Sequence, residues 1–359
     1  MKKNKYFLFF SMLSLIMFGI TMIYSASHIW AEYKFNDPLK YIKSQVVFFL
    51  FGLLIIKILS KIPISFYRNN ANKLILLCLI LLILVLIPGI GKVRNGSRSW
   101  FGIGPLGIQP SEFAKLGLII FTAKYLSSND KDIKNIRKGI LPLFLIISIF
   151  FLLIMMEPDF GTALVILCTL VVMIFSSGPN LSFFVKIGML GLIGIILLII
   201  VAPYRVARIT AYLNPWSDPL GSGFQIIQSL YALGPHGLLG VGYGNSIQKN
   251  FYLPEPQTDF IFSIIGEEFG FLGCFFVIFL FICLFYNAIR ISLSQYDLFA
   301  KYLSFGLAFG LVFQGLLNIA IVSGLLPTTG ITLPFISYGG SSLLVSMISI
   351  GIIISIAKE

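Results

Sequence analysis

Ten apolar blocks of about 14 to 28 residues recur along this chain, separated by polar segments rich in Lys, Gly and Pro. They run at Tyr6–Tyr24, Tyr41–Leu59, Leu74–Ile87, Ser111–Leu126, Ile140–Met156, Thr162–Ser176, Phe183–Val201, Phe260–Asn287, Tyr302–Leu325 and Ser342–Ala357. Roughly 20 apolar residues in a helix cross a bilayer core, so the pattern predicts an all-α polytopic integral membrane protein with about ten transmembrane helices. The first block follows Lys2, Lys3 and Lys5 and ends on Ser25, Ala26 and Ser27, imitating a cleavable signal. It is longer than a signal core and many spans follow it, so an uncleaved anchor is expected.

Composition agrees: 57% of the 359 residues are hydrophobic and 11% charged, against roughly 25% charged in soluble domains. The net charge of +12 is read first as sidedness rather than nucleic-acid affinity, because Lys and Arg are retained on the cytoplasmic side. With the N-terminus inside, sixteen basic residues fall in inner segments and ten in outer ones, which favours N-in and C-in. All four cysteines lie in apolar blocks and the histidines are His28 and His236 alone, so no disulfide framework or His/Cys metal site is legible.

Three outer segments stand out: Gly89–Pro110, the long extracytoplasmic loop Tyr204–Thr258, and Pro327–Ser341. The second is too long for a connector, which points to a functional surface. The third breaks a helix twice inside an apolar neighbourhood, a pattern tolerated where backbone faces protein or a wet cavity, and reads as a re-entrant-like segment. Ten of the fourteen acids, Glu32, Asp37, Glu112, Glu157, Asp159, Asp218, Glu255, Asp259, Glu267 and Glu268, fall in outer segments of the chain or in helices entering from them. Acids near a membrane are costly and are either paired or functional. Ser111 could cap the helix after Pro110, with Glu112 in its first turn and Lys115 as an ion-pair partner. Asp159 could cap the helix after Pro158, and Thr258 or Asp259 could open the helix after the two prolines of Pro254–Pro256. The competing reading makes Asp259 a general base, its pKa raised at a low-dielectric rim. Glu267 and Glu268 lie two turns deeper, expensive unless they line a polar cavity. Arg94, Arg98, Arg205, Arg208, Lys249 and Lys115 could meet an anionic headgroup or be ordinary surface charge.

Asn95-Gly-Ser-Arg-Ser-Trp100, Gln109-Pro-Ser-Glu-Phe-Ala-Lys115, Glu157-Pro-Asp-Phe-Gly-Thr162, Asn214-Pro-Trp-Ser-Asp-Pro219, Tyr252–Glu268 and Gly330–Ser342 occur in that order along nearly the whole chain. Together they resemble the SEDS family (shape, elongation, division and sporulation), membrane glycosyltransferases that polymerise peptidoglycan. Gln228–Gly234 and the Pro-Glu-Pro-Gln-Thr-Asp stretch are more similar to the FtsW/SpoVE branch than to the RodA branch. The resemblance implies a single membrane domain over 1–359 in the bacterial cytoplasmic membrane, its active site facing outward. It implies an inverting enzyme that polymerises lipid II, a disaccharide-pentapeptide on undecaprenyl pyrophosphate, into β-1,4 glycan strands in cell division or sporulation. Asp259 matches the family's proposed base. Glu112 and Lys115 match its functional pair, Asp159 a third polar position of its cavity and Arg208 a basic position before the Asn-Pro-Trp stretch, and Arg94 and Arg98 stand as further substrate-binding cations. A divalent cation such as Mg could assist departure of the pyrophosphate, with its ligands unknown. The implied partners are a class B penicillin-binding protein transpeptidase and divisome or sporulation proteins. Phe251 stands where some division-branch members carry an acid.

Two other functions suit ten spans around a polar cavity: a lipid II flippase, and a noncatalytic scaffold for a transpeptidase. A flippase cycles access to both faces, whereas the acids and broken helices here crowd one face. A scaffold leaves Asp259 dispensable.

Overall fold

The computed structural model describes all residues except 1, 95, 103–106, 134, 180–182, 187, 190, 192, 193, 195–202 and 359. Among the described residues the regular elements are eleven α-helices, two short helical turns at Ile136–Ile140 and Pro215–Ser217, and one short hairpin. In order they are α1 (Lys2–Phe35), α2 (Lys40–Leu59), α3 (Ile64–Leu86), β1 (Lys92–Arg94), β2 (Ser97–Trp100), α4 (Pro110–Ser128), α5 (Leu141–Met156), α6 (Phe160–Ser176), α7 (Pro203–Leu213), α8 (Phe224–Leu233), α9 (Ile261–Leu293), α10 (Leu298–Val322) and α11 (Gly340–Ile356). Proline starts several of them for the usual reason, since the first helical residue needs no N–H. Pro63 precedes α3, Pro110 opens α4 and Asp297 caps α10 through the Ala300 amide.

Six described helical stretches are long and apolar enough to cross a membrane unaided: Lys3–Phe35, Lys40–Leu59, Ile64–Leu86, Ile136–Met156, Ile261–Leu293 and Leu298–Val322. The expected count of about ten is therefore not met on length and apolarity alone. The block at Ser111–Leu126 does form α4, but Glu112 and Lys115 are buried in it, so packing rather than lipid solvates that helix. The blocks at Thr162–Ser176 and Ser342–Ala357 form α6 and α11, 17 residues each, or about 26 Å, with largely buried faces. The expected span Phe183–Val201 lies mostly outside the described residues.

The core centres on α10, which packs against α4, α6, α9 and α11, with Phe281, Phe299 and Phe335 among the largest fully buried side chains. Peripheral α2 and α3 turn most of their apolar residues outward, and Phe271, Phe275 and Phe279 form an exposed stripe along α9, as lipid-facing helices do.

The all-α expectation needs one amendment, the antiparallel pair β1–β2. It crosses at Gly96, whose φ of 80° favours glycine. Between α10 and α11 the chain abandons regular structure, yet Ile331, Leu333, Phe335 and Ile336 are buried there. Helix α1 admits this segment at Gly19, where a Cβ would sit 2.6 Å from the Ile336 backbone. The α4 and α6 starts, the α7–α9 loop and the α10–α11 segment meet at one end of the bundle. At the other end Arg68, at the start of α3, pairs with Asp297 before α10, and Lys358 after α11 reaches Ser60 after α2.

Candidate functional site

Three consecutive backbone carbonyls carry the approach to Asp259, and each accepts a hydrogen bond from the far side of the site. The Tyr338 amide donates to Gln257 O at 2.9 Å, Ser337 Oγ to Thr258 O at 2.6 Å and Asn318 Nδ2 to Asp259 O at 2.8 Å. The two prolines at 254 and 256 keep this stretch from closing into a helix. Its carbonyls would otherwise be orphaned inside the protein, so the α10–α11 segment and α10 supply the donors. Helix α9 then begins at Ile261 with Phe260 at its N-cap and no side-chain cap. The expectation that Thr258 or Asp259 caps this helix is thus corrected. Thr258 turns back to the Glu255 carbonyl, and the Asp259 carboxyl has no capping duty.

That carboxyl rests beside Gly330, where an added Cβ would lie 3.6 Å from Oδ2. Burial pushes its pKa up to about 7, Glu255 and Asp159 add to the rise, and Arg208 opposes it. Asp159 is the N-cap of α6, as expected, accepting from the Thr162 amide at 3.1 Å. Its other oxygen accepts from Gln109 Nε2 at 2.9 Å and Ser111 Oγ at 3.2 Å. Burial raises its pKa against these bonds, and the Glu112 charge adds to the rise. Ser111 is therefore not a cap: α4 has Gln109 at its N-cap, and Ser111, one position inside the helix, is spent on Asp159.

Lys115 and Glu112 form a buried ion pair at 2.7 Å, with side chains 7% and 6% exposed, not an exposed surface pair. Lys115 Nζ also donates to Gln314 Oε1 at 2.6 Å, and Gln314 Nε2 donates to Thr332 O at 3.1 Å. Thr332 Oγ1 shares a 2.9 Å hydrogen bond with Ser342 Oγ. The Glu112–Lys115 pair is therefore wired to the non-helical segment that abuts Asp259. Gln314 and Asn318 were not singled out from the sequence, although two amides one turn apart in an apolar helix are a legible signal, because a buried amide demands partners.

The three arginines lie apart in role. Arg208, on α7, is exposed and donates to Thr328 O at 3.0 Å, beside the base's segment. Arg94 lies over the Trp100 ring at 4.8 Å and against Gly107. Arg98 donates to Leu86 O at the end of α3. Arg94 and Arg98 thus brace the hairpin, while the Arg208 charge bears on the Asp259 carboxyl.

Lys249 is the largest departure from expectation. Instead of meeting headgroups or solvent, its ammonium is 2% exposed and pairs with Glu268 at 3.0 Å, while donating to Ser25 Oγ and Gly244 O. Glu267 accepts from Ser246 Oγ and the Ile247 amide. Helix α9 is broken at Gly270 (φ 61°, ψ −152°), and loop backbone fills the gap. Val241 and Gly242 amides donate to Glu267 O and Glu268 O, and Phe271 and Leu272 amides donate to Gly237 O and Leu238 O. Glu267 and Glu268 are accordingly internal fasteners of the long loop, not cavity-lining acids.

Among the described residues, no group of three His, Cys, Asp or Glu side chains lies at metal-ligating spacing. The chain therefore builds no closed cation cage of its own there.

Together, a bundle of apolar helices whose broken segments hold a raised-pKa carboxylate beside buried acids and a buried ammonium defines a polytopic membrane protein with a polar site at one end. Residues 6–359 match the family model described as Cell cycle protein, FtsW/RodA/SpoVE, and the chain belongs to that family. Stage V sporulation protein E of Bacillus subtilis (strain 168) is 49% identical over 346 residues, covering 96% of this chain and 94% of that protein. A probable peptidoglycan glycosyltransferase FtsW of Trichlorobacter lovleyi is 41% identical over 344 residues, covering 96% and 90%. A chain of the solved assembly "Structural coordination of polymerization and crosslinking by a peptidoglycan synthase complex" superimposes with a TM-score of 0.81 at 31% identity, covering 98% of this chain and 96% of that one. The crystal structure of Thermus thermophilus rod shape determining protein RodA gives 0.72 at 28% identity, covering 98% and 95%. The SpoVE and FtsW relatives thus share more sequence with this chain than that RodA does, in keeping with the branch expected from residues 228–234 and 254–259.

Proposed function

We propose that this chain is a peptidoglycan glycosyltransferase that polymerises lipid II at the outer face of the bacterial cytoplasmic membrane, serving division or sporulation. The observation that carries this reading is Asp259: its backbone is held by donors from two other elements, while its carboxyl is unclaimed by capping and raised to about 7. A base is most effective with a pKa near the working pH. Ionised Asp259 takes the proton of the acceptor sugar's 4-hydroxyl as that oxygen attacks the donor's anomeric carbon. The new C–O bond forms as the bond from that carbon to the pyrophosphate oxygen breaks, and undecaprenyl pyrophosphate leaves with the electron pair. Attack opposite the leaving group inverts the anomeric centre and yields a β-1,4 link.

Negative charge grows on the departing pyrophosphate, and the chain's cations answer it: Arg208 beside the base's segment, and Lys115 from the buried network. Asp159 keeps the α4 and α6 starts together around the site. Magnesium bound by one or two carboxylates plus substrate phosphates needs no closed protein cage, and Asp159 and Glu255 are the carboxylates available to it. It would supply further charge neutralisation at the leaving group. Ten spans with both termini inside, and a class B penicillin-binding protein as partner, complete the proposal. The solved synthase complex, which couples polymerisation to crosslinking, supports the partner.

The test is glycan synthesis from lipid II by purified protein in detergent. Wild type should make polymer, and Asp259→Asn, equal in size, should lose about 10² to 10⁴ of the rate while remaining folded. Normal synthesis by Asp259→Asn would remove the base from the mechanism. Absence of synthesis by the wild type together with its partner would return the flippase and scaffold readings.

A further inference from the structure

Helix α10 presents two primary amides, Gln314 and Asn318, one turn apart on the same face. They are 3% and 1% exposed, deep in the bundle. Asn318 Nδ2 donates to Ile331 O at 2.6 Å and to Asp259 O at 2.8 Å, so one nitrogen holds the base's own carbonyl and the neighbouring non-helical segment together. Both contacts are carbonyl oxygens, which accept only, so the nitrogen must face them and both of its hydrogens are used. Gln314 does the equivalent one turn away. Its nitrogen donates to Thr332 O, the next carbonyl after Ile331, and its oxygen accepts from Lys115. A continuous rail of hydrogen bonds therefore runs from Glu112 through Lys115, Gln314 and the 331–332 backbone to Asn318 and Asp259.

We propose that Gln314 and Asn318 are positioning residues that set the separation and orientation of Asp259 relative to the Lys115 ammonium. The inference rests on the glycosyl-transfer reading above, in which the base and the cations act at opposite ends of one bond exchange. A rigid α-helix is the ruler: two side chains of one element fix two groups that the sequence places 144 residues apart. The backbone after Leu326 has no helical ladder of its own to hold it, so without these amides the Ile331, Thr332 and Asp259 carbonyls lose their donors, and the Ser337 and Tyr338 bonds to Thr258 and Gln257 fix the two segments to each other but not to α10. Amides that merely hold spans together contribute to stability and leave the chemistry of the folded fraction alone.

The test uses the full-length purified protein with lipid II in detergent, comparing wild type, Asn318→Leu, Asn318→Ser and Gln314→Leu. It reads folded fraction, kcat, KM and the pH–rate profile. A misplacement of about 1 Å costs about 10² in rate. Asn318→Leu should accordingly lose about 10² in kcat per folded molecule, with KM within about threefold. Its acid limb should move, because Asp259 shifts relative to Glu255, Asp159 and Arg208, the charged groups that bear on it. Asn318→Ser, which keeps one donor and leaves no clash, should recover part of kcat. Gln314→Leu should lower kcat with less movement of the limb. Wild-type kcat and limb in the folded fraction of Asn318→Leu or Asn318→Ser would overturn the proposal, and if Asn318→Leu fails to fold, Asn318→Ser alone decides it. Asp259→Asn is measured in parallel: inactivity there with normal Asn318 variants sinks the positioning role only, whereas activity there sinks the underlying reading as well.

Discussion

Glu157 stands between α5 and α6 with no exposed surface and no hydrogen-bond partner for either carboxylate oxygen. Burial, with the Asp159 charge added, pushes its pKa up to about 9 from the usual 4.5. It is therefore protonated in the folded protein at neutral pH and ionised once unfolded. The folded state gives up stability as the pH rises above 4.5 and stops losing it above about 9. Each tenfold change in proton affinity is worth about 1.4 kcal/mol, so at pH 7 the penalty is about 3 kcal/mol. Glu157→Gln, which resembles the protonated form and cannot ionise, should be as stable as wild type near pH 4.5 and more stable by about 3 kcal/mol at pH 7. In a chain of this size that raises the melting midpoint on the order of 5 °C. Thermal melts of both proteins in detergent from about pH 4.5 to 8.5 measure it. Wild-type and Gln curves that stay parallel across that range would refute the argument, because they would mean that Glu157 ionises equally in both states.

Polymerisation should rise with pH through about 7, the region where Asp259 loses its proton, and a rate flat from about pH 5.5 to 8.5 would remove that titration from the mechanism. Lys115→Met strands buried Glu112 and leaves Gln314 Oε1 without its donor, so turnover should fall and stability should drop by about 3 to 5 kcal/mol. Glu112→Gln with Lys115→Met should restore the melting midpoint without restoring turnover, and full activity of the double variant would return the pair to a packing role. Gly240→Ala sets a Cβ 2.5 Å from the Glu268 backbone at a φ of 72°; it should loosen the 237–252 segment, read as faster protease nicking there, and unchanged nicking would contradict the described clasp. A cysteine at Ser222 should react with an impermeant reagent applied outside the cell while one at Asn135 does not, and the reverse would invert the proposed orientation.

How much of this was legible in the sequence depends on the range over which each residue finds its partners. Blocks of apolar residues gave most helix positions, since hydropathy is a local property. The gathering of the Gly- and Pro-rich segments at one end followed from counting spans. Asp159 as a cap was readable because its partner, Thr162, lies three residues on. Ser111 misled for the opposite reason: its hydroxyl is claimed by Asp159, 48 positions away, which no local rule reveals. Lys249 looked like a surface cation because Glu268 lies 19 positions on, across the irregular stretch 250–260, where neither helical nor strand spacing applies. Glu112 and Lys115 were recognisable as a pair from spacing, but their burial comes from α10, which sequence distance conceals. The count of about ten spans is not reached on length and apolarity alone because α4, α6 and α11 are clothed by other helices and need not be long or wholly apolar.

The break at Gly270 divides the long loop into two halves of unequal freedom. Residues 237–252 act as a splice in a helix, their amides and carbonyls standing in for the missing turn and their lysine neutralising one of its two glutamates. A residue added there would shift every one of those bonds out of register. Around Leu220, 89% exposed, the chain makes a short turn on Asp218 that leads into α8, and its hydrogen bonds are local. An epitope inserted at Leu220 should therefore report on the protein without disturbing its site, while the later half of the loop is fixed in length by the helix it repairs.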